Sequence, residues 1–365
     1  VQAHGRHIRT TSGYHLMRYI TGESSTASNS SKFIPLTADQ QTVASVYPCK
    51  VSGYYAGLSS SPGDAIWRQC MPDIRELEDQ TQVADPLAEE LLSPVPGLIH
   101  RYPDRVVLLV SNRCPVYCRF CMRKRLVGCE GDIPLAPDTL ERALAYISST
   151  TDIRDVILSG GDPLMLDDAS LQMILSRLRD IRHVKIIRIG TRIPATLPER
   201  VTPELCSMLG SFHPLYINTH FNHPAEITDA SARACGMLAN AGIPLGNQSV
   251  LLRGVNDDID VMRDLMTGLL EVRVKPYYIH QMDLIKGTAH FRTPVARGLE
   301  IIRALRGHVS GMAVPHYVID LPEGKGKVAL LPEPVEREGD LLILTTYQGE
   351  RVAYRDFTDP PVQMQ

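Results

Sequence analysis

No stretch of this sequence is apolar for the length of a bilayer span, and its first thirty residues contain no signal-peptide core. Charge of one sign is not in excess. The 38 Lys and Arg against 41 Asp and Glu leave a formal net charge of −3, which offers no footprint for nucleic acid or an anionic membrane. Eight cysteines in 365 residues are too sparse for a disulfide scaffold, and no internal repeat stands out. The chain begins at Val1 without a methionine, which reads as a trimmed start. These absences make a soluble, cytoplasmic protein the expectation, long enough for one large domain or two ordinary ones. With 44 % apolar and 22 % charged residues, the composition is that of a globular chain.

What is present begins with organisation. Residues 1–31 are polar and rich in Ser and Thr, and read as including a mobile stretch. Up to about residue 97 the pattern is irregular or helical, with a helical patch near Asp73–Gln80, and reads as an N-terminal extension or collar. From Arg105 a repeat of apolar runs begins. Strands are expected at 106–110, 156–158, 184–189, 215–217, 245–252, 276–280 and 317–319. Helices are expected between them, at 137–149 (apolar Leu140, Ala143, Leu144, Ile147), 171–178, 203–210, 225–241, 257–271 and 295–308. Such alternation predicts an α/β fold, a parallel partial or complete TIM-like barrel, with the site at the C-terminal ends of its strands. The division expected is an extension over 1–97, a barrel over 98–332 and a short C-terminal extension over 333–365.

The cysteines are distributed unevenly. Cys49, Cys70, Cys206 and Cys235 are scattered and read as small buried hydrophobes. Cys114, Cys118 and Cys121 lie within eight residues, just after the strand at 106–110. Three thiolates on one loop suit an iron–sulfur cluster and leave one iron open to a chelating small molecule. The competing reading is zinc, which needs four ligands; Cys129 is the nearby fourth thiol and no second two-cysteine arm follows. Ser159-Gly160-Gly161-Asp162-Pro163 follows the next strand. By itself it reads as a turn with a capping aspartate; beside the three cysteines it reads as a backbone cradle whose carboxylate holds an ammonium.

The C-x3-C-x2-C loop after a strand resembles the radical S-adenosylmethionine (SAM) superfamily. Longer segments resemble one family within it, the lysine 2,3-aminomutases. They are His100–Arg105, Asn218–His223, Gly246–Val250, Asp283 with His290–Arg292, and Asp320–Lys327, in order between Asp85 and Pro332. The resemblance implies a barrel of the radical SAM type, a 4Fe–4S cluster on Cys114, Cys118 and Cys121, SAM, and pyridoxal 5′-phosphate (PLP). It implies SAM contacts from Gly160, Gly161, Asp162, His220 and Gln248, and a grip on the PLP phosphate by Arg101, Tyr102 and Arg105.

Lys327 resembles the lysine that carries PLP, in a glycine-flanked loop where Lys325 is a near competitor. Arg123 resembles the arginine that pairs with the substrate α-carboxylate; some of its neighbours Arg119, Lys124 and Arg125 read as solvated. Asp283 and Asp320 match the two aspartates that recognise a distant ammonium, so the implied substrate is a cationic amino acid. Lysine comes first, with arginine or ornithine as alternatives, and the α-amino group moves to the β-carbon. His280 and Met282 depart from the tyrosine and cysteine common in lysine enzymes, and no cysteine follows Cys235, so an interfacial zinc site is expected to be absent from any homo-oligomer. Other readings stay open: an aminomutase acting on a lysine of a translation factor, a radical SAM enzyme without PLP, or a non-enzymatic metal-binding protein. The partners implied are a small amino acid and an electron donor such as flavodoxin or ferredoxin, with neither nucleic acid nor membrane.

Overall fold

A computed structural model describes residues 35–79, 82–128, 137–333, 335–339 and 341–355. The Ser/Thr-rich stretch 1–31 and Cys129 lie outside the described residues.

Four short helices come first: α1 (Ala38–Val46), α2 (Gly53–Ala56), α3 (Ala65–Cys70) and α4 (Arg75–Glu78). A nine-stranded sheet then runs in strict chain order. Its strands are β1 (Leu98–Tyr102), β2 (Arg105–Ser111), β3 (Asp155–Gly160), β4 (Ile186–Gly190), β5 (Leu215–Thr219), β6 (Leu245–Leu251), β7 (Lys275–Gln281), β8 (His316–Leu321) and β9 (Gly326–Leu330). Strands β2 to β8 pair in parallel, while β1 and β9 pair antiparallel at the two edges. No ladder joins β9 to β1 among the described residues, so the barrel is a partial one. The remaining helices are α5 (Pro137–Ser149), α6 (Asp168–Arg179), α7 (Ile193–Thr196), α8 (Pro203–Gly210), α9 (Asp229–Asn240), α10 (Ile259–Glu271) and α11 (Val295–Leu305). A separate meander of β10 (Glu336–Glu338), β11 (Leu341–Thr345) and β12 (Arg351–Arg355) follows.

Local chemistry explains where these elements begin. Asp167, Thr202, Thr228 and Asp258 each accept a backbone N–H in the first turn of α6, α8, α9 and α10, caps worth about 1 kcal/mol apiece. Leu140, Ala143, Leu144 and Ile147, spaced for one helix face, are all buried. Along β2 the burial alternates. Val106, Leu108 and Val110 pack into the large core, while Val107 faces the cavity inside the barrel. The same period of two sets Leu158 in the core and Ile157 and Ser159 toward the cavity on β3. The barrel interior is therefore hollow, with about 780 Å³ of space.

Three expectations about elements change. The strand at 106–110 is the second of the sheet, preceded by β1. The expected helix over 225–241 begins only at Asp229, after a 3-10 turn at Pro224–Glu226. The glycine-flanked segment around Lys327 is a strand, not a loop. Cys70, Cys206 and Cys235 are buried as expected, and Cys49 is half-buried.

Candidate active site

All fifteen site residues singled out in the sequence line this one cavity: Arg101, Tyr102, Arg105, Cys114, Cys118, Cys121, Arg123, Gly160, Gly161, Asp162, His220, Gln248, Asp283, Asp320 and Lys327. They sit mainly at or just beyond the C-terminal ends of the parallel strands, where each chain segment leaves the sheet and can turn a side chain over its mouth.

The cysteine loop leaves β2 after Ser111 and is stitched to the N-terminal segment. The Tyr117 N–H donates to the Lys50 carbonyl at 2.8 Å and the Arg119 N–H to the Gln69 carbonyl at 2.9 Å. Burial pushes the Cys114 thiol far up and the Cys121 thiol up to about 11, and the neighbouring thiols raise both further. Three such thiolates can coexist only around strong positive charge, which is what iron supplies. Among the described residues no three His, Cys, Asp or Glu side chains close on a single ion. Three thiols on one loop are a donor set that an iron–sulfur cluster takes.

Two buried ion networks hold this loop, and sequence reading missed the acids in both. Glu76 of α4 is fully buried and accepts from Arg119 Nε and Nη2 at 2.9 and 2.5 Å and from Lys124 Nζ at 2.5 Å. Burial works to raise the Glu76 pKa, but the two cations outweigh it and hold the carboxyl below its ordinary value. Lys124 is pulled down to about 8 by burial. Arg125 pairs with Asp85 and Glu90 at 3.2 and 3.0 Å. None of these cations is simply solvated, contrary to expectation. Glu89 occupies the Nε/Nη2 edge of Arg123 at 3.0 and 2.7 Å, leaving Nη1 against Ser159 Oγ at 3.2 Å.

Arg192, just past β4, is a second omission. Its Nη1 donates to Cys118 Sγ at 2.8 Å, and its Nη2 donates to Glu226 Oε1 and Gln69 Oε1, both at 2.6 Å, and to the Tyr55 hydroxyl at 2.9 Å. Its place at a strand end was the available signal.

The glycine pair is explained by packing. A Cβ on Gly160 would lie 2.2 Å from the Ser111 carbonyl oxygen, and one on Gly161 would lie 2.3 Å from that of Arg113. Those carbonyls accept the Gly161 and Asp162 N–H groups at 2.5 and 2.7 Å, so the turn is fastened to the cysteine loop. Asp162 follows the pair and lines the cavity. Its carboxylate is buried and accepts from Thr191 Oγ1 and the Arg192 N–H, both at 2.7 Å, and from the Leu164 N–H at 3.1 Å. It is a cap that ties β3 to the start of α7. Beside it, His220 is pushed down to about 3 by burial and by the Arg192 charge, so its imidazole is neutral; its Nε2 lies 3.1 Å from Asn222 Oδ1. Gln248 lines the wall from β6.

At the other side of the cavity the two antiparallel edges meet. Asp320 on β8 and Lys327 on β9 are direct cross-strand partners, and Lys327 Nζ lies 2.5 Å from Asp320 Oδ2. The Tyr102 hydroxyl of β1 accepts the Lys327 N–H at 2.9 Å. Arg101 Nη1 stands 3.6 Å from Asp320 Oδ1, and its Nε is buried without a hydrogen-bond partner, an orphaned donor that a phosphate oxygen would satisfy. Arg105 is drawn to Asp104 at 2.9 Å and lies over the Tyr102 ring at 4.6 Å. Lys325 turns outward to Glu323 at 2.9 Å and is two-thirds exposed, so only Lys327 of the two reaches the cavity. Asp283 has no salt-bridge partner among the described residues, and burial together with the Asp320 charge raises it to about 7.

Comparison with known proteins agrees with this geometry. Residues 108–266 match the radical SAM superfamily, and residues 302–360 match the lysine-2,3-aminomutase model. The chain is 48 % identical over 334 residues to L-lysine 2,3-aminomutase of Clostridium subterminale, covering 89 % of this chain and 80 % of that protein. It is also 48 % identical over 310 residues to L-lysine 2,3-aminomutase of Fusobacterium nucleatum, covering 84 % and 73 %. Glutamate 2,3-aminomutase of Clostridioides difficile is 45 % identical over 333 residues, covering 89 % and 79 %. The chain belongs to the lysine 2,3-aminomutase family of the radical SAM superfamily.

Proposed function

We propose that this chain moves the α-amino group of a cationic L-amino acid, lysine first, to its β-carbon. The observation that carries the substrate class is the pair Asp283 and Asp320 at one wall of the cavity. Asp283 is held up at about 7 for want of a cation, and a distal ammonium between the two carboxylates relieves that repulsion. An anionic side chain, as in glutamate, would add a third negative charge to a half-buried site. Arginine and ornithine carry the same charge and remain the alternatives.

Roles follow from position and chemistry. Cys114, Cys118 and Cys121 hold the 4Fe–4S cluster. The Gly160–Gly161 turn, His220 and Gln248 border the space for SAM, with Asp162 fixing the turn. Arg101, Tyr102 and Arg105 line the PLP phosphate end, supported by the orphaned Arg101 Nε, and Lys327 is the amine that bonds the PLP aldehyde. Arg123 offers Nη1 to the substrate carboxylate while Glu89 fixes its fork. When bound, the cluster and SAM supply a radical that takes a hydrogen from substrate, and PLP supplies a π-bond to the migrating nitrogen. The protein holds these parts in one cavity, so orientation rather than new covalent chemistry is its contribution.

An electron donor such as flavodoxin or ferredoxin, a cytoplasmic setting and a homo-oligomer belong to the same reading. No described helix is long and apolar enough to cross a membrane.

The test is anaerobic turnover of the reconstituted chain with dithionite, SAM and PLP on L-lysine, L-arginine, L-ornithine and L-glutamate in parallel. A β-amino product from one cationic substrate is expected. Product from glutamate alone would overturn the assignment of the acidic pair, and deoxyadenosine without any β-amino product would overturn the proposed reaction.

A further inference from the structure

His280 is a polar group of the cavity to which the proposed function gives no task. It stands on β7, one strand from Asp320 and two from Lys327. Its Nδ1 lies 3.2 Å from Asp320 Oδ2 and 3.3 Å from Lys327 Nζ. One ring nitrogen thus faces an acceptor and a donor together. Carrying a proton, Nδ1 donates to Asp320; without one, it accepts from the Lys327 ammonium. Both contacts cannot be made at once, so they define two states of one triad. In the first, ammonium, neutral imidazole and carboxylate stand together; in the second, amine, imidazolium and carboxylate. Net charge is equal in both, so a proton passes between them without leaving a half-buried charge uncompensated.

We propose that His280 is the proton acceptor for Lys327, taking the Nζ proton as Lys327 changes from the ion-pair partner of Asp320 into the nucleophile toward a pyridoxal aldehyde, and then holding Asp320 as an imidazolium. The inference rests on the reading of Lys327 as the PLP lysine. The step balances without any redox partner. Nζ loses one proton to Nδ1, the neutral amine bonds the aldehyde carbon, and the two hydrogens left on nitrogen depart with the aldehyde oxygen as water. When a substrate amine later releases Lys327, the same proton returns.

The surroundings favour the exchange. His280 faces Asp320 from β8, Lys327 from β9 and the Tyr278 ring at 5.5 Å on its own strand. Arg101 reaches Asp320 from β1, Asp283 follows β7, and His220 adds a further imidazole after β5. Burial lowers the His280 pKa, the Asp320 hydrogen bond opposes it, and the Lys327 charge adds to the lowering. Once Lys327 gives up its charge, the pull of Asp320 remains and the imidazole is a stronger base than it was beside the ammonium.

The test follows PLP loading rather than turnover. The reconstituted full chain is mixed with PLP between roughly pH 6 and pH 9, quenched with borohydride over time, and the phosphopyridoxyl-bearing peptide quantified by mass spectrometry. His280→Phe and His280→Gln are compared with the parent; neither takes a proton, and Gln keeps a hydrogen-bond acceptor. Both are expected to label Lys327 about ten-fold more slowly or worse near pH 7, and to rejoin the parent at the alkaline end, where hydroxide removes the Nζ proton. That recovery marks a correctly folded pocket. Variant profiles that superimpose on the parent would overturn the proposal. So would two variants that fail to label at every pH, which would make His280 structural; where one alone fails, the other decides by the same rule. A parent labelled at Lys325, or not at all, would bring down the assignment of Lys327 itself and the inference with it.

Discussion

Asp283 and Asp320 share a wall yet are pushed in opposite directions. Burial would raise Asp320, but His280 and Lys327 hold it far below the ordinary carboxylate range; Asp283, lacking its own cation, rises to about 7. In the folded chain Asp283 therefore prefers its proton, and the fold loses stability as pH rises from the unfolded value near ~4 to about 7. Asp320 runs the other way: its stabilisation is complete above that unfolded value and disappears as pH falls below it. Replacing Asp283 by Asn is expected to stabilise the chain by about 1–3 kcal/mol above neutrality and to change little in acid, as read by urea unfolding. The same carboxylate binds a cation only when ionised. KM for lysine should thus climb as pH falls through about 7 in the parent, while the Asn variant shows a high KM with little pH dependence.

Among elements, the junction of β2 and β3 matters most, since the cysteine loop and the glycine turn leave it side by side. Their carbonyls and N–H groups interlock at 2.5 and 2.7 Å, and no room for a side chain exists between them. A methyl on Gly161 meets Arg113 backbone atoms at 2.3 and 2.7 Å, which backbone can relieve only by moving the cysteine loop. Gly161→Ala is expected to cost about 1–3 kcal/mol of stability and to lower the iron retained per chain after anaerobic reconstitution; parental iron content would refute this account. Elements also differ in how legible they were. Strands β2, β3, β4 and β8 announce themselves through runs of Val, Ile and Leu, and β5 to β7 through their spacing between helical stretches, caps and turns. Strand β9 does not, because Gly324-Lys325-Gly326 suggests a loop and only pairing with β8 draws Lys327 into a ladder. Strand β1 and the β10–β12 meander were likewise passed over: β1, β10 and β12 are mixed or polar and take their order from neighbours, whereas the apolar run Leu341–Leu344 of β11 was a strand signal left unread.

For the whole molecule, the segment before β1 is part of the site. It supplies Tyr55 and Gln69 to Arg192, Glu76 to Arg119 and Lys124, and Glu89 to Arg123. Removing a partner from a buried ion pair costs about 3–5 kcal/mol, and several such losses exceed the 5–15 kcal/mol, roughly, that holds a domain together. A chain beginning at Leu98 is therefore expected to lack a cooperative unfolding transition and to retain no cluster, measured by circular dichroism and iron analysis. Cooperative folding of that fragment would show the segment to be dispensable.

By itself the sequence determined the chemistry: three thiols on one loop, a lysine, two aspartates and the basic residues around them, set on strands whose periodicity dictates a parallel barrel. That much is local, since residue type and spacing need no partner to be read. Tertiary structure alone decided which charges meet. Asp320 opposes Lys327 because the edge strand β9 pairs antiparallel with β8, Asp162 caps the turn because the end of β4 delivers Thr191 and Arg192 to it, and Glu76, Glu89 and Arg192 entered the site from distant segments. Pairing of buried charge depends on distances between segments far apart in the chain, and only folding sets those distances.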